Sequence, residues 1–366
     1  MKENFKILIL VLVIVLGFSI FLLNKKIRFF SGGLFLASPK DFLDIEIIDN
    51  GGFGNSLALS LEKNPAVSFL DEERGLIFAQ KLGGKWQEEI VDKEALAGND
   101  TSLAFNSKGE ANILYIDKNF SLKLATKINQ EWKIEKIVDG AALSLNLLFD
   151  KEDNPLISFW LTSKGALAFA KKVNSKWQIE IVDSGEVGWW NDLALDKNQN
   201  PHISYFDFKN KDLLYAFFDG LCWRKEVVDF EEDVGRWNSI LVQGDEVYIS
   251  YFDEGNAKLK YAKKGKGGWE IESIDKSDIA GERTNIAQDE DGNLYISYFD
   301  LSYSDFKLAK KSKDDKRWQT FTIDEKGEVG GDNSLLIDKE GNIFLSWQDL
   351  SHKKLKYSVC KSWIWQ

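Results

Sequence analysis

Four stretches of this 366-residue chain carry the side chains best suited to holding a ligand: Gly185-Glu-Val-Gly-Trp-Trp-Asn191, Glu231-Glu-Asp-Val-Gly-Arg-Trp-Asn238, Ile279-Ala-Gly-Glu-Arg-Thr284 and Glu328-Val-Gly-Gly-Asp-Asn333. Within them the candidate binding residues are Trp189, Trp190, Asn191, Arg236, Trp237, Asn238, Arg283, Asp332 and Asn333. Flat indoles stack on the apolar face of a sugar ring. Planar guanidinium, amide and carboxylate groups reach its hydroxyls in fixed directions. Arg236 and Arg283 stand out further because the chain has only six arginines. The competing reading is that the tryptophans fill gaps between structural units and the charges are solvated.

The elements that position these stretches follow from a repeat. The fourth unit reads Asn191-Asp-Leu-Ala-Leu-Asp196, then Pro201-His-Ile-Ser-Tyr-Phe-Asp207, Leu213-Leu-Tyr-Ala216 and Trp223-Arg-Lys-Glu-Val-Val-Asp229. Its tryptophan recurs at Trp86, Trp132, Trp177, Trp269, Trp318 and Trp363, with spacings of 45 to 49 residues. Four short strand patterns per period of this length mark a β-propeller blade. The chain is therefore expected to be all-β, a seven-bladed β-propeller over residues 43–366. Asn-Pro or Gly-Asn pairs open the second strand in five units, where proline removes no inner ladder bond.

The ends complement each other. No aspartate follows Trp363, whereas Asp44-Ile-Glu-Ile-Ile-Asp49 is the same outer strand without its tryptophan. The N-terminal strand is thus expected to complete the last blade, which would otherwise leave an unpaired edge.

In a propeller, the loops from strand 2 to 3 and from strand 4 to the next strand 1 share one face, and the four candidate stretches are strand-4 exits. Asn55, Asn191, Asn238 and Asn333 recur at the start of the innermost strand, with Thr101 and Thr284 in the same slot and Leu145 breaking the series. Such a ring can meet a small polar ligand or satisfy backbone groups. Two aspartate series, at the ends of strands 2 and 4, are expected to cap turns. Asp289-Glu-Asp-Gly-Asn293 and Asp196-Lys-Asn-Gln-Asn200 faintly resemble calcium loops but lack the bidentate glutamate. His202 and His352 stand alone, and there is no Ser-His-Asp or Cys-His grouping.

Composition narrows the class. A net charge of −11 argues against a nucleic-acid partner, which needs surplus cations. Two histidines, two cysteines and one methionine exclude a disulfide framework and disfavour a His/Cys metal site. No metal and no cofactor is expected. Cys222 and Cys360 lie in different repeats and are expected to be free and buried. Residues 7–23 form an uncharged apolar run. A helix of this length reaches roughly 25 Å, just enough to cross a bilayer. Residues 1–24 are therefore expected to be an uncleaved transmembrane signal-anchor, a cleaved signal peptide being the rival, and residues 25–42 a stalk. The propeller is then expected on the extracytoplasmic side of a single-pass membrane protein.

The pattern N-S-L-x-x-D, G-N-P-x-I-S-Y-x-D, L-K-Y-A, W-x-x-E-x-V-D resembles repeats of secreted bacterial and archaeal propellers of the sialidase-like (BNR-repeat) group. Sialidases of that group carry Asp-boxes, S-x-D-x-G-x-x-W. The nearest match here, Ser312-Lys-Asp314-Asp-Lys-Arg-Trp318, lacks the glycine and has its tryptophan one place early. The resemblance also implies an arginine triad, a Tyr–Glu nucleophile pair and an acid Asp, of which only Arg236 and Arg283 fall on the proper face. Seven-bladed bacterial lectins are a second similarity, through their Trp-ended blades. The expected role is a binding or scaffold module for a glycan or another cell-surface ligand, with a protein partner or a degenerate sialidase-like hydrolase as the alternatives.

Overall fold

The computed structural model describes residues 43–361 apart from residues 98, 141–142, 276, 278 and 316. The chain forms seven four-stranded antiparallel sheets, each a blade. Blade 1 contains Phe53–Leu59, Pro65–Asp71, Gly75–Leu82 and Lys85–Asp92. Blades 2 to 6 repeat this order, their innermost strands being Ser102–Phe105, Asn146–Phe149, Val187–Leu195, Val234–Gln243 and Ala280–Gln288. Blade 7 takes Val329–Ile337, Ile343–Asp349 and Lys354–Cys360 from the end of the chain, and its outer strand, Glu46–Asp49, from the beginning. The closing pair is antiparallel, with Glu46 opposite Tyr357 and Ile47 opposite Lys356. The expected seven-bladed ring and its closure are thus found.

Strand 2 is buried on both faces, so it reads as a nearly continuous apolar run. In blade 5, Glu246–Asp253 is buried along its length after Glu246. The period-two alternation of side chains sends each set to a different neighbour. Ile249 and Tyr251 pack with Leu213, Tyr215 and Val228 of blade 4. The core is therefore a chain of inter-blade clusters.

The recurring tryptophan has a structural task. Trp132 meets Phe78 of the preceding blade edge-on, with centroids 5.3 Å apart. Its indole N–H donates to Glu89 at 3.0 Å, and Lys127 pairs with the same carboxylate at 2.6 Å. Trp86 with Tyr357 and Glu46, and Trp269 with Tyr215 and Glu226, repeat the arrangement. Trp318, the tryptophan of the near Asp-box, packs edge-on against Tyr261 in the same way.

The aspartates cap turns and also latch blades together. Asp253 accepts the Asn256 amide and Asp229 the Glu231 amide, both as caps. Lys260 bridges these two carboxylates across the blade 4–5 junction, at 2.8 Å from Asp253 and 3.1 Å from Asp229. Tyr251 donates to Asp229 at 2.6 Å. The calcium-like loops are Asx turns: Asp196 accepts the amides of Asn198 and Asn200, and Asp289 that of Asn293. His202 is buried against the Tyr215 hydroxyl.

One expectation is corrected. Neither cysteine is in a disulfide, but only Cys360 is buried; Cys222 is exposed because it ends the hairpin turn before Trp223. No helix among the described residues is long and apolar enough to cross a membrane. The expected anchor (1–24) and stalk (25–42) lie outside the described residues, as does Trp363.

Candidate functional site

The starts of the inner strands are shaped by a bulge. In blade 5 the ladder runs Val234 to Asp253, then Arg236 to Phe252, then Ser239 to Ser250, so extra residues are absorbed twice. Gly235 sits in the first break with φ +103°, and a Cβ there would lie 2.8 Å from the Leu213 Cα. Only glycine accepts both conditions. The second break holds Trp237 at φ 45°. Trp190 (47°) and Arg283 (54°) occupy the same slot in blades 4 and 6. A bulky side chain held in the left-handed region is costly and concentrates at binding and catalytic sites. This turn aims the side chain at the axis.

The next residue in each strand builds a ring of clasps. Asn191 donates to the Ser144 carbonyl (2.9 Å) and accepts from the buried Ser158 hydroxyl (2.6 Å). Asn238 accepts from Ser204 (2.5 Å) and donates to Gly235 O (2.9 Å). Asn333 donates to Arg283 O (2.7 Å) and accepts from Ser297 (2.7 Å). Asn55, Thr101 and Thr284 bond Ser346, Ser68 and Ser250 in the same manner. Each clasp fastens an inner strand to strand 2 of the preceding blade. At the blade 2–3 junction both partners change together: Leu114 replaces the serine, Leu145 the asparagine, and both are buried in one apolar cluster. These amides line the channel mouth with most of their hydrogen-bonding capacity already spent on the clasp.

Above the ring lies an axial depression of about 210 Å³. That is below the roughly 300–1,000 Å³ of drug-sized sites, so it suits a single ring. Every blade contributes to its lining, and the side chains that give it character are Trp190, Trp237, Asp100, Arg283 and Asp332. Gly54 lies against the Asn99 carbonyl oxygen, 1.9 Å from where a Cβ would stand, and donates its amide to Asp332 at 2.7 Å. Asp332 also forms an ion pair with Arg283. One layer deeper, Asp192 accepts hydrogen bonds from Leu193 N (2.8 Å), Ser239 Oγ (2.8 Å) and Ile240 N (2.9 Å). Burial pushes its carboxyl above the usual range, and these three donors only partly oppose it.

The nine candidate residues separate into two groups. Trp190, Asn191, Trp237, Asn238, Arg283, Asp332 and Asn333 line the depression. Trp189 and Arg236 do not. Trp189 stacks on Trp160 (5.2 Å) and on Trp190 (4.5 Å, 6° between planes), which occupies its faces. Arg236 is held by Asp233 at 2.9 Å and lies over the Trp190 ring at 5.6 Å. Both support Trp190 from outside. Trp237 meets Trp190 at 5.0 Å and a 47° tilt, so the two indoles form one angled wall. Sequence reasoning missed Asp100, Ser144 and Gly54. The signal was available, since each immediately precedes the slot of Thr101, Leu145 or Asn55, as Trp190 and Trp237 precede Asn191 and Asn238.

No known protein family matches the chain, and no curated protein matches it. Solved structures share the fold. A polysaccharide lyase, an ulvan lyase bound to a GlcA(1-4)Rha3S unit, is 10% identical, with 86% of this chain and 95% of that chain covered and a TM-score of 0.60. The Aleuria aurantia lectin in complex with Fucα1-6GlcNAc is 11% identical, with 75% and 96% covered and a TM-score of 0.55. AofleA from Arthrobotrys oligospora is 14% identical, with 70% and 81% covered and a TM-score of 0.51. At these identities the likeness is one of fold. Fold and site together define a seven-bladed propeller with a polar, aromatic-walled axial depression.

Proposed function

We propose that this protein is a glycan-binding propeller whose site is the axial depression. The observation that carries the reading is the pair Trp190 and Trp237, held in left-handed backbone at the wall of a single-ring cavity among hydrogen-bonding groups. Fold neighbours described as a fucose-binding lectin and as polysaccharide lyases add to it. The test is a glycan array with the full chain and with Trp190→Ala and Trp237→Ala. Trp237→Ala is expected to weaken binding at least tenfold, and Trp190→Ala somewhat less because Trp189 stays behind it. Binding unchanged by both substitutions would reject the site.

Glu46–Asp49 runs toward the face of the depression, so the chain enters the propeller from the opposite face. With residues 1–24 as a signal-anchor, the depression then points away from the bilayer on the extracytoplasmic side. Protection of the propeller from protease added to intact cells would overturn that placement.

Two alternatives have an observation each. Phe208, Phe230 and Tyr303 are exposed (56%, 72% and 68%) on loops of the same face, which favours a protein partner there. The sialidase-like repeat pattern favours a hydrolase with Arg283 as its anion-binding residue. Turnover of a fluorogenic sialoside, abolished by Arg283→Ala, would replace the binding reading by that one.

A further inference from the structure

The charge of the depression bears on which ring it accepts. Among the described residues, three charged side chains line it: Asp100, Arg283 and Asp332. Arg283 and Asp332 are ion-paired and cancel. Arg236, the other arginine near this face, is turned toward Asp233 and Glu254. Asp100 differs. Among the described residues, its one polar bond is from the Ser144 amide at 3.4 Å, and no lysine, arginine or histidine pairs with it. The mouth is therefore left with an uncompensated carboxylate. The chain as a whole carries −11.

An unpaired carboxylate facing a cavity with the Trp237 indole in its wall is a setting for a cation, the Trp190 ring already lying under the Arg236 guanidinium. The ring quadrupole attracts positive charge, and a cleft whose net charge has one sign concentrates counter-ions of the other. The same field repels uronate and sulfate groups, since Arg283 is already neutralised. Resting on the glycan reading for its ligand class, we propose that the depression selects a positively charged sugar end, an amino sugar, over uronic or sulfated sugars. Asp100 is the residue that sets this preference.

Two measurements test it, and the first needs no sugar. Quenching of tryptophan emission by caesium and by iodide is compared in the full chain and in Trp237→Phe, so that the difference reports on Trp237. Caesium is expected to quench that component several-fold better than iodide. The preference disappears in Asp100→Asn and returns in Asp100→Glu, and thermal melting confirms that both variants are folded. Iodide quenching equal to or better than caesium in the unmodified chain overturns the proposal.

The second measurement compares a chitosan tetramer with its fully N-acetylated form and with a galacturonan tetramer. The chitosan tetramer is expected to bind at least tenfold more tightly than galacturonan, and Asp100→Asn removes most of that ratio. Galacturonan binding that is lost in Arg283→Ala overturns the proposal. If none of the sugars binds while caesium keeps its advantage, the glycan reading falls and the selection for positive charge stands.

Discussion

The junction between blades 2 and 3 and that between blades 4 and 5 solve one packing problem in opposite ways. At the 4–5 junction, Asn238 and Ser204 clasp the inner strand, and Lys260 spans Asp229 and Asp253 nearer the depression face, with Tyr251 on Asp229. At the 2–3 junction the groups facing Asp139, the strand-4 aspartate of blade 2, are apolar, and Asp139 turns instead to Ser121 and Lys136 of its own blade. Leu114 and Leu145 replace the clasp, and Leu161, Ala168 and Phe159 replace the aspartate, lysine and tyrosine, all within one cluster. The substitutions travel together because half a polar clasp is worse than none: a buried amide or charge without its partner keeps its whole desolvation cost. Direction is what the polar version adds. A hydrogen bond fixes where Trp237 and Asn238 start their strand, whereas apolar burial tolerates sliding. The two tryptophans of the depression stand on strands whose starts are clasped in this polar way.

That contrast can be broken at several levels. Both junctions presuppose a closed ring, so the largest effect is expected from deleting residues 41–50. Losing the Glu46–Asp49 strand, with Arg74–Asp49 and Lys81–Glu46, exposes a blade edge. The expected cost exceeds about 5 kcal/mol, the lower end of a domain's entire stability. A truncated chain that melts like the intact one would contradict closure.

Next comes Lys260→Met, which strands two buried carboxylates and is expected to destabilise by about 3–5 kcal/mol in chemical denaturation. A loss below about 1 kcal/mol would show that the latch is not what holds the 4–5 junction.

Leu145→Asn places one half of a clasp opposite Leu114, at an expected cost of about 2–3 kcal/mol. Adding Leu114→Ser should recover about 1 kcal/mol or more through coupling of the new pair. Strict additivity in that cycle would mean that the two positions do not act as a unit.

The gentlest perturbation is acid. Burial alone would raise the Asp275 carboxyl. The Tyr298 hydroxyl, the Ser277 amide and hydroxyl, and Lys307 together hold it below its ordinary value of 3.8. Asp117, through Ser121, Lys123 and Asn119, and Asp349, through Lys356 and His352, are likewise held below 3.8 against the effect of burial. A carboxyl depressed on folding stabilises the native state above its unfolded pKa, and that contribution is lost as pH falls through the folded value. Melting temperature is therefore expected to be nearly level across neutral pH and to fall below about pH 4. Lys260→Met should shift that fall least if Asp117, Asp275 and Asp349 dominate it. A melting temperature that rises on acidification below pH 4 would contradict the assignment.

Much of the fold was legible in the sequence because its signals are local and repeated. The tryptophan spacing gives the blade count, the prolines open second strands at Pro65, Pro155 and Pro201, and the outer-strand fragment at Asp44–Asp49 announces closure. Each depends on period, turn chemistry or an unpaired edge, which a single chain displays directly. The site was legible only as a set of loops. Trp189 and Trp190 are adjacent and chemically identical, yet one lines the cavity and the other is sandwiched behind it, because a left-handed residue inside a bulge redirects one side chain and not its neighbour. Arg236 and Arg283 both stand in strand-4 exits, but Arg236 took Asp233 of its own turn, whereas Arg283 took Asp332 from the next blade. Asp100 gained its place from the axis, where residues about one repeat apart, and Gly54 and Asp332 at opposite ends of the chain, meet. Convergence of that kind is a long-range property of ring closure. The residues alone therefore determined which propeller would form, and only the closed ring decided which of them face the ligand.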